Sequence, residues 1–295
     1  MKNLSLCLSF LALFALVGVA FAQDIEVADD SCSWKPDFDL TLDWQSRYVS
    51  KGKIVNPDPI ASANVWIGLK GFYVNFWSPF DMTDINSPKK GGDYKNDRKY
   101  RPEEIDYQIG YAYTFDKDLL GGLSDLTIDF SWNYWQYPDL EDYAWGPRRY
   151  HDEPLALVVS LGNVLPDDCN FSLGLGTELD YDLQNYLWWG KVYADLGFTV
   201  PGLDDRLSLG LKNSWYWGGK SWNRANLSDE MNDWAVNTTE LKFYASFSVT
   251  DNISLGAFWA AAWALNPSTR EVWKTPGNSN HQPNCWGGVS IDFAF

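Results

Sequence analysis

The chain has 295 residues, of which 45% are hydrophobic, 17% aromatic and 21% charged, and its formal net charge is −16. Such a composition excludes a disordered chain, which is poor in aromatics. The acidic balance argues against nucleic acid as a partner, because phosphate neutralisation needs clustered Lys and Arg. Two His and four Cys leave little material for a zinc centre or a His-based catalytic site, so neither metal nor cofactor is expected.

In chain order, the first segment is an export address. Lys2 supplies the positive start, 4–19 is almost wholly apolar, and Ala20-Phe21-Ala22 offers a small-x-small processing site. Residues 1–22 therefore read as a signal peptide cleaved after Ala22. Residues 23–36 follow as a periplasmic N-terminal segment, and 37–295 carry the fold. No later stretch supplies ~18 consecutive apolar residues, so no transmembrane helix is expected. Two readings stay open: a soluble exported β protein, or a β-barrel in an outer membrane.

From residue 37 onward the hydrophobic period is two, and about twelve strands follow from it. They fall at 37–48, 59–69, 72–77, 104–115, 126–136, 154–162, 171–181, 186–200, 207–216, 234–249, 253–264 and 284–295. In the first, Phe38, Leu40, Leu42, Trp44 and Tyr48 oppose Asp37, Asp39, Thr41, Asp43 and Arg47. In the fourth, Ile105, Tyr107, Ile109, Tyr111, Tyr113 and Phe115 oppose Glu104, Asp106, Gln108 and Thr114. On every strand the more apolar parity carries no Asp, Glu, Lys or Arg. The other parity carries Asp39, Asp43, Glu104, Asp106, Asp129, Glu178, Asp180 and Glu240, with Arg47, Lys191, Lys212 and Lys242. The chain thus asks for one apolar, uncharged environment and one wet one.

Alternation of this kind arises in soluble antiparallel sheets and in membrane barrels alike. Three features favour the barrel. Connections alternate in length: 70–71, 116–125, 163–170, 201–206 and 250–252 are short, whereas 78–103, 137–153, 217–233 and 265–283 are long. The 182–185 link breaks the pattern. Short turns at one end and long loops at the other are the layout of an outer-membrane barrel. Aromatics on the apolar parity gather near strand ends, among them Trp44 and Tyr48, Trp132 and Tyr134, Trp188, Trp215, Trp259 and Trp263, as interfacial girdles require. Finally, Val289-Ser290-Ile291-Asp292-Phe293-Ala294-Phe295 alternates to the last residue. A terminal strand ending in Phe295 resembles the signal by which the barrel-assembly machinery recognises outer-membrane barrels.

A family resemblance can be placed on particular residues. Ser46-Arg47-Tyr48-Val49-Ser50-Lys51-Gly52-Lys53-Ile54 is similar to the Ser-x-Tyr-x-x-Arg-Gly-Ile segment that ends strand one in the TorF-type porins. Gly71-Phe72-Tyr73-Val74-Asn75-Phe76-Trp77-Ser78 looks like their Gly-Phe-Tyr-x-x-x-Trp-Ser stretch, and Glu104-Ile105-Asp106-Tyr107 with Gly110-Tyr111 looks like the strand that follows. Lys51 departs from the family's Arg, and the later loops are longer and richer in Trp. The resemblance implies a barrel and a channel, and no particular substrate.

Catalytic constellations are thin. Asn280-His281-Gln282-Pro283-Asn284 has Pro283 where a phospholipase-type barrel needs its nucleophile. His151-Asp152 is an acid/base candidate in form, but a solvated loop accounts for it as well. Acidic loop residues such as Asp81, Asp84 and Asp139 suit ordinary solubility rather than calcium. Trp145, Trp217, Trp222, Trp234 and Trp273 suit loop packing or anchoring, with sugar stacking as the alternative. Cys32 and Cys169 fall on the periplasmic side, where an oxidising compartment favours a disulfide; Cys285 would stay single at the opposite rim.

The sequence therefore predicts an all-β, closed antiparallel transmembrane barrel in a bacterial outer membrane. It would pass small solutes by diffusion with a weak cation preference, and its partners would be lipid, the assembly machinery and those solutes. Arg47, four residues from Asp43 on one strand face, is the candidate structural cation of the lumen. An outer-membrane barrel enzyme of lipase or protease type and a secreted carbohydrate-binding β protein remain the alternatives.

Overall fold

A strand exposes alternate side chains to opposite faces, so a sequence of strict alternation folds only where the two faces meet different surroundings. The computed structural model describes residues 35–82, 104–137, 151–166, 170–203, 205–226, 233–273 and 283–295, and the segment 1–22 read as a signal peptide, Cys32, Cys169 and His281 lie outside them. Pro36–Phe295 forms one unit. Its strands are β1 (Asp37–Gln45), β2 (Tyr48–Ser50), β3 (Lys53–Asn56), β4 (Ile60–Leu69), β5 (Phe72–Asp81), β6 (Ile105–Phe115), β7 (Leu126–Gln136), β8 (His151–Asp152) and β9 (Pro154–Leu161). They continue as β10 (Phe171–Asp182), β11 (Leu187–Thr199), β12 (Leu207–Gly218), β13 (Ala235–Thr250), β14 (Ile253–Ala264) and β15 (Asn284–Ala294).

Twelve long strands make one closed antiparallel barrel, each paired with its neighbours in the chain. The first strand, β1, closes the ring against the last, β15, with Thr41 opposite Asp292 and Trp44 opposite Val289. The seam is sealed at its end by Phe295 N donating to Phe38 O at 2.8 Å and Phe38 N donating to Phe295 O at 3.0 Å. Closure leaves no strand edge, the condition for a sheet to sit in a solvent that cannot hydrogen-bond the backbone. The short β8 is a two-residue extension that pairs with the end of β7.

The connections sort by end. Those at 70–71, 116–125, 162–170, 200–206 and 251–252 lie at the end where β1 begins and β15 finishes, here the turn end. At the tightest, Lys70 and Gly71 have φ of 51° and 86°, the pair of positive values that a two-residue hairpin turn demands. The connections after β1, β5, β7, β10, β12 and β14 lie at the other, loop end. Two short helices, Lys220–Asn226 and Pro267–Trp273, fall in two of these.

Burial is inverted relative to a soluble protein. Leu42, Val74, Ile109, Val192, Leu209 and Val289 on the outer face are 41–56% exposed. Ser62, Ser131, Asp180, Asp182 and Ser214 on the inner face are buried. The outer face is free of charge on every barrel strand, and Asn213, one of its polar exceptions, is bonded within the sheet. Asn213 Nδ2 donates to Glu240 O at 2.8 Å and to Thr239 Oγ1 at 3.3 Å, both within the sheet.

One expectation is corrected. The segment 49–58 reads as a plain connection in the sequence, and the first strand as running to residue 48. Instead β1 stops at Gln45, and β2 and β3 form a separate hairpin whose tip, Lys51 and Gly52, takes φ of 51° and 79°. Tyr48 thus leaves the outer face and joins this hairpin.

Candidate functional site: the lumen

The register sets the inner face from β1 round to β15, and two cavities open along it. The turn-end cavity, about 560 Å³, is lined by Asp39, Thr41, Asn64, Asn75, Ser254 and Asp292 among others. Thr41 Oγ1 donates to Asp292 Oδ1 at 2.7 Å across the seam. Asp43 accepts from Ser62 Oγ and, at 3.1 Å, from Gln45 Nε2.

Arg47 departs from its expected role. It sits in the bend after β1, so it does not share a strand face with Asp43, and among the described residues no ion pair joins them. The cause is the early end of β1, which turns the chain inward before the fourth residue of the supposed spacing.

Further along the wall, charges meet across strands. Lys191 Nζ lies 2.5 Å from Glu178 Oε2, its partner in the β10–β11 ladder. Lys212 Nζ lies 3.8 Å from Asp195 Oδ2 and 4.2 Å from the Tyr193 ring centroid. Lys242 Nζ lies 4.3 Å over Phe258, and Glu240 stands opposite Ser214. Tyr73 donates to Asp129 Oδ1 at 2.9 Å, and Tyr244 donates to Asp195 Oδ1 at 2.7 Å. Three tyrosine rings cover inner-face glycines on neighbouring strands: Tyr73 over Gly110, Tyr193 over Gly176 and Tyr244 over Gly210. A Cβ at any of those glycines would occupy the same space as the ring. Glycine is needed there for close approach.

The second cavity, about 540 Å³, lies at the loop end and receives the β2–β3 hairpin. Its tip is bonded to two separate strands of the wall. Thr238 Oγ1 donates to Lys51 O at 3.0 Å, and Asn284 Nδ2 donates to Gly52 O at 3.1 Å. Val49 packs against Ala260, Ala262, Ala264 and Trp286, which are almost completely buried. The inner face is therefore not wet throughout: on β14 it is a small apolar bed that the hairpin covers. The Lys51 ammonium lies 5.2 Å from the Trp135 ring centroid and 5.0 Å from that of Trp189. Around it stand Glu104, Asp106, Asp152 and Asp180.

Electrostatics there follow from burial. Tyr48 donates to Glu104 Oε2 at 2.5 Å. Burial still pushes the Glu104 carboxyl above its ordinary range, opposed by that hydrogen bond and by the Lys51 charge. Burial raises the Tyr137 hydroxyl too, reinforced by Glu104 and Asp152, so it stays a neutral donor, bonded to Asp152 Oδ2 at 3.1 Å.

Sequence reasoning missed the hairpin. Its signal was the Lys51-Gly52 pair between two short alternating runs, the same turn chemistry that marks Lys70-Gly71. The His151-Asp152 pair is separated by the strand itself. His151 pairs with Gln136 and Asp152 with Trp135, so the two side chains face opposite sides of the sheet. His151 instead meets Glu153 Oε1 at 3.3 Å and lies against Tyr134, with ring centroids 4.8 Å apart. Cys285 carries a free thiol.

No family model and no curated protein matches the chain. Among solved structures, the NanC porin is similar at a TM-score of 0.47 and 10% identity, over 87% of this chain and 98% of that one. The KdgM porin is similar at 0.46 and 6%, over 88% and 99%. LpxR from Salmonella typhimurium is similar at 0.47 and 10%, over 86% and 99%.

Proposed function

We propose that the protein is a bacterial outer-membrane channel through which small hydrophilic solutes diffuse, with a weak preference for cations. The observation that carries this reading is the inverted barrel, with an uncharged apolar exterior around a charged interior that holds two cavities. Charge on a lipid-facing position costs roughly 2–4 kcal/mol at midplane for Arg or Lys, so its absence outside is what lipid selects. In this reading the exposed aromatics near strand ends, Trp44, Tyr107, Tyr111, Phe171 and Trp215 among them, anchor the barrel at the headgroups. The channel makes and breaks no bonds and needs no cofactor.

The cation preference rests on the loop-end cavity. Glu104, Asp106, Asp152, Asp180 and Asp182 line it, against the ammonium groups of Lys51, Lys53 and Lys191. A low-dielectric wall focuses such a field and raises the local cation concentration. The test is conductance of the purified barrel in a planar bilayer under a KCl gradient. Discrete current steps with a reversal potential on the potassium side are expected. A barrel that never conducts refutes the channel, and a chloride-side potential refutes the preference.

A further inference from the structure

We propose that the loop-end cavity is a binding subsite for an organic ammonium group, and that Lys51 occupies it as a tethered surrogate for that ligand. The inference rests on the channel reading and names the solute chemistry its lumen would favour.

Three observations converge. First, the cavity presents both kinds of surface that an ammonium ion seeks at once: the indole faces of Trp135 and Trp189, and the carboxylates of Asp106, Asp152 and Asp180. A cation within about 6 Å of a ring centroid gains most when it is desolvated, and Lys51 Nζ meets that distance at both rings. Second, two buried carboxyl oxygens receive no donor from the wall. Asp180 is 3% exposed, and its Oδ2 has no hydrogen-bond partner; Asp106 Oδ1 is likewise buried without one. An unmade bond at a buried polar oxygen is costly, and an N–H donor arriving from the lumen removes that cost. Third, among the described residues no carboxylate stands within 4.0 Å of the Lys51 ammonium. The tethered group therefore fills the aromatic part of the cage and leaves the acidic part open.

These features also choose among ligands. A neutral sugar would stack on the indoles but leave the carboxylate charge uncompensated. Potassium would answer the charge but is held by water more strongly than by an indole face. A primary ammonium on an alkyl stem, the chemistry of a lysine side chain or a small diamine, answers both. Because Lys51 is carried on a hairpin bonded at Thr238 and Asn284, it competes as an intramolecular ligand at an effective concentration on the order of millimolar. A solute amine must displace it.

The experiment measures binding of 1,5-diaminopentane to the full-length barrel in detergent micelles, by calorimetry and by tryptophan fluorescence. 1-Pentanol and KCl serve as uncharged and inorganic controls. Lys51→Gln should bind the diamine about tenfold more tightly than wild type, since the tethered competitor is gone. Lys53→Gln removes the same charge from the same hairpin outside the ring pair and should change little. Asp180→Asn and, independently, Asp106→Asn should each weaken binding about tenfold. Heat-modifiable electrophoretic mobility confirms folding of each variant. No diamine binding by Lys51→Gln, equal gains from Lys51→Gln and Lys53→Gln, or equal binding of 1-pentanol would overturn the proposal. Binding requires no current, so the two readings fail separately. A barrel that conducts potassium but ignores the diamine refutes the cage alone, and one that binds the diamine but never conducts refutes the channel alone.

Discussion

Val192 lies near the middle of β11 on the outer face, 44% exposed, between Thr177 and Trp215. Its chain neighbour Lys191 is charged, faces the lumen and is paired with Glu178. One residue of displacement therefore separates a tolerated charge from a forbidden one. If the outer face meets lipid, Val192→Arg should cost roughly 2–4 kcal/mol near midplane. At 1.4 kcal/mol per tenfold, a loss of about 3 kcal/mol lowers the folding equilibrium constant roughly a hundredfold. If the same face met water, the substitution would add a charge to an exposed surface and stay within about 0.5 kcal/mol of wild type. The control is Asn64→Arg on the inner face, beside the turn-end cavity that Asp39 and Asp292 also line; it should fall within the same narrow limit. The assay is reversible denaturant unfolding in lipid vesicles, with midpoints and slopes compared. A Val192→Arg barrel as stable as wild type, or no more damaged than Asn64→Arg, would refute the assignment of the outer face to lipid.

Other outcomes follow from the lumen. Gly110→Ala should destabilise the barrel by about 1–3 kcal/mol, because its methyl meets the Tyr73 ring; Gly110→Ala combined with Tyr73→Ala should recover part of the loss in the same unfolding assay. Lys191→Met should cost roughly 1–3 kcal/mol, less than for a fully buried pair because about a quarter of each side chain is exposed; loss of stability that Glu178→Gln does not relieve would contradict the pairing. Potassium preference should begin to decline, as pH falls, above the ordinary carboxylate range, since burial makes Glu104 take up its proton there. Asp106, Asp152, Lys51 and the Tyr48 hydroxyl face the same space, and Glu104→Gln should blunt the early part of that decline in reversal-potential measurements. The stability linkage has the corresponding sign. The folded state holds this proton more tightly than the unfolded one, so the Glu104 contribution is present at acid pH and is lost as pH rises through its folded pKa.

Period two is a local property, and local properties are legible without coordinates. From Leu126 to Gln136 and from Ile253 to Ala264 the strands begin and end where alternation places them, because one misplaced residue would turn every side chain to the wrong solvent. The turn at Lys70-Gly71 is equally local, set by the φ values that only a few residues adopt without cost. Which inner-face charges meet is not local. Glu178 finds Lys191 and Lys212 finds Asp195 through the register of neighbouring strands, and Asp43 finds Ser62 rather than Arg47 because β1 ends early.

Residue chemistry along the chain was enough to determine that this protein is built mainly of strands, that one parity avoids charge, and where the turns between the barrel strands lie, since each follows from interactions within a few residues. Only the tertiary structure decided that β1 meets β15, joining Thr41 to Asp292 across 251 residues of sequence. It alone sent the hairpin at Lys51-Gly52 into the barrel, against an alanine bed that looks in sequence like any other wet face. A hairpin's destination depends on what the far wall offers, here Thr238, Asn284 and two indole rings. Those groups become neighbours of Lys51 only when the sheet has closed.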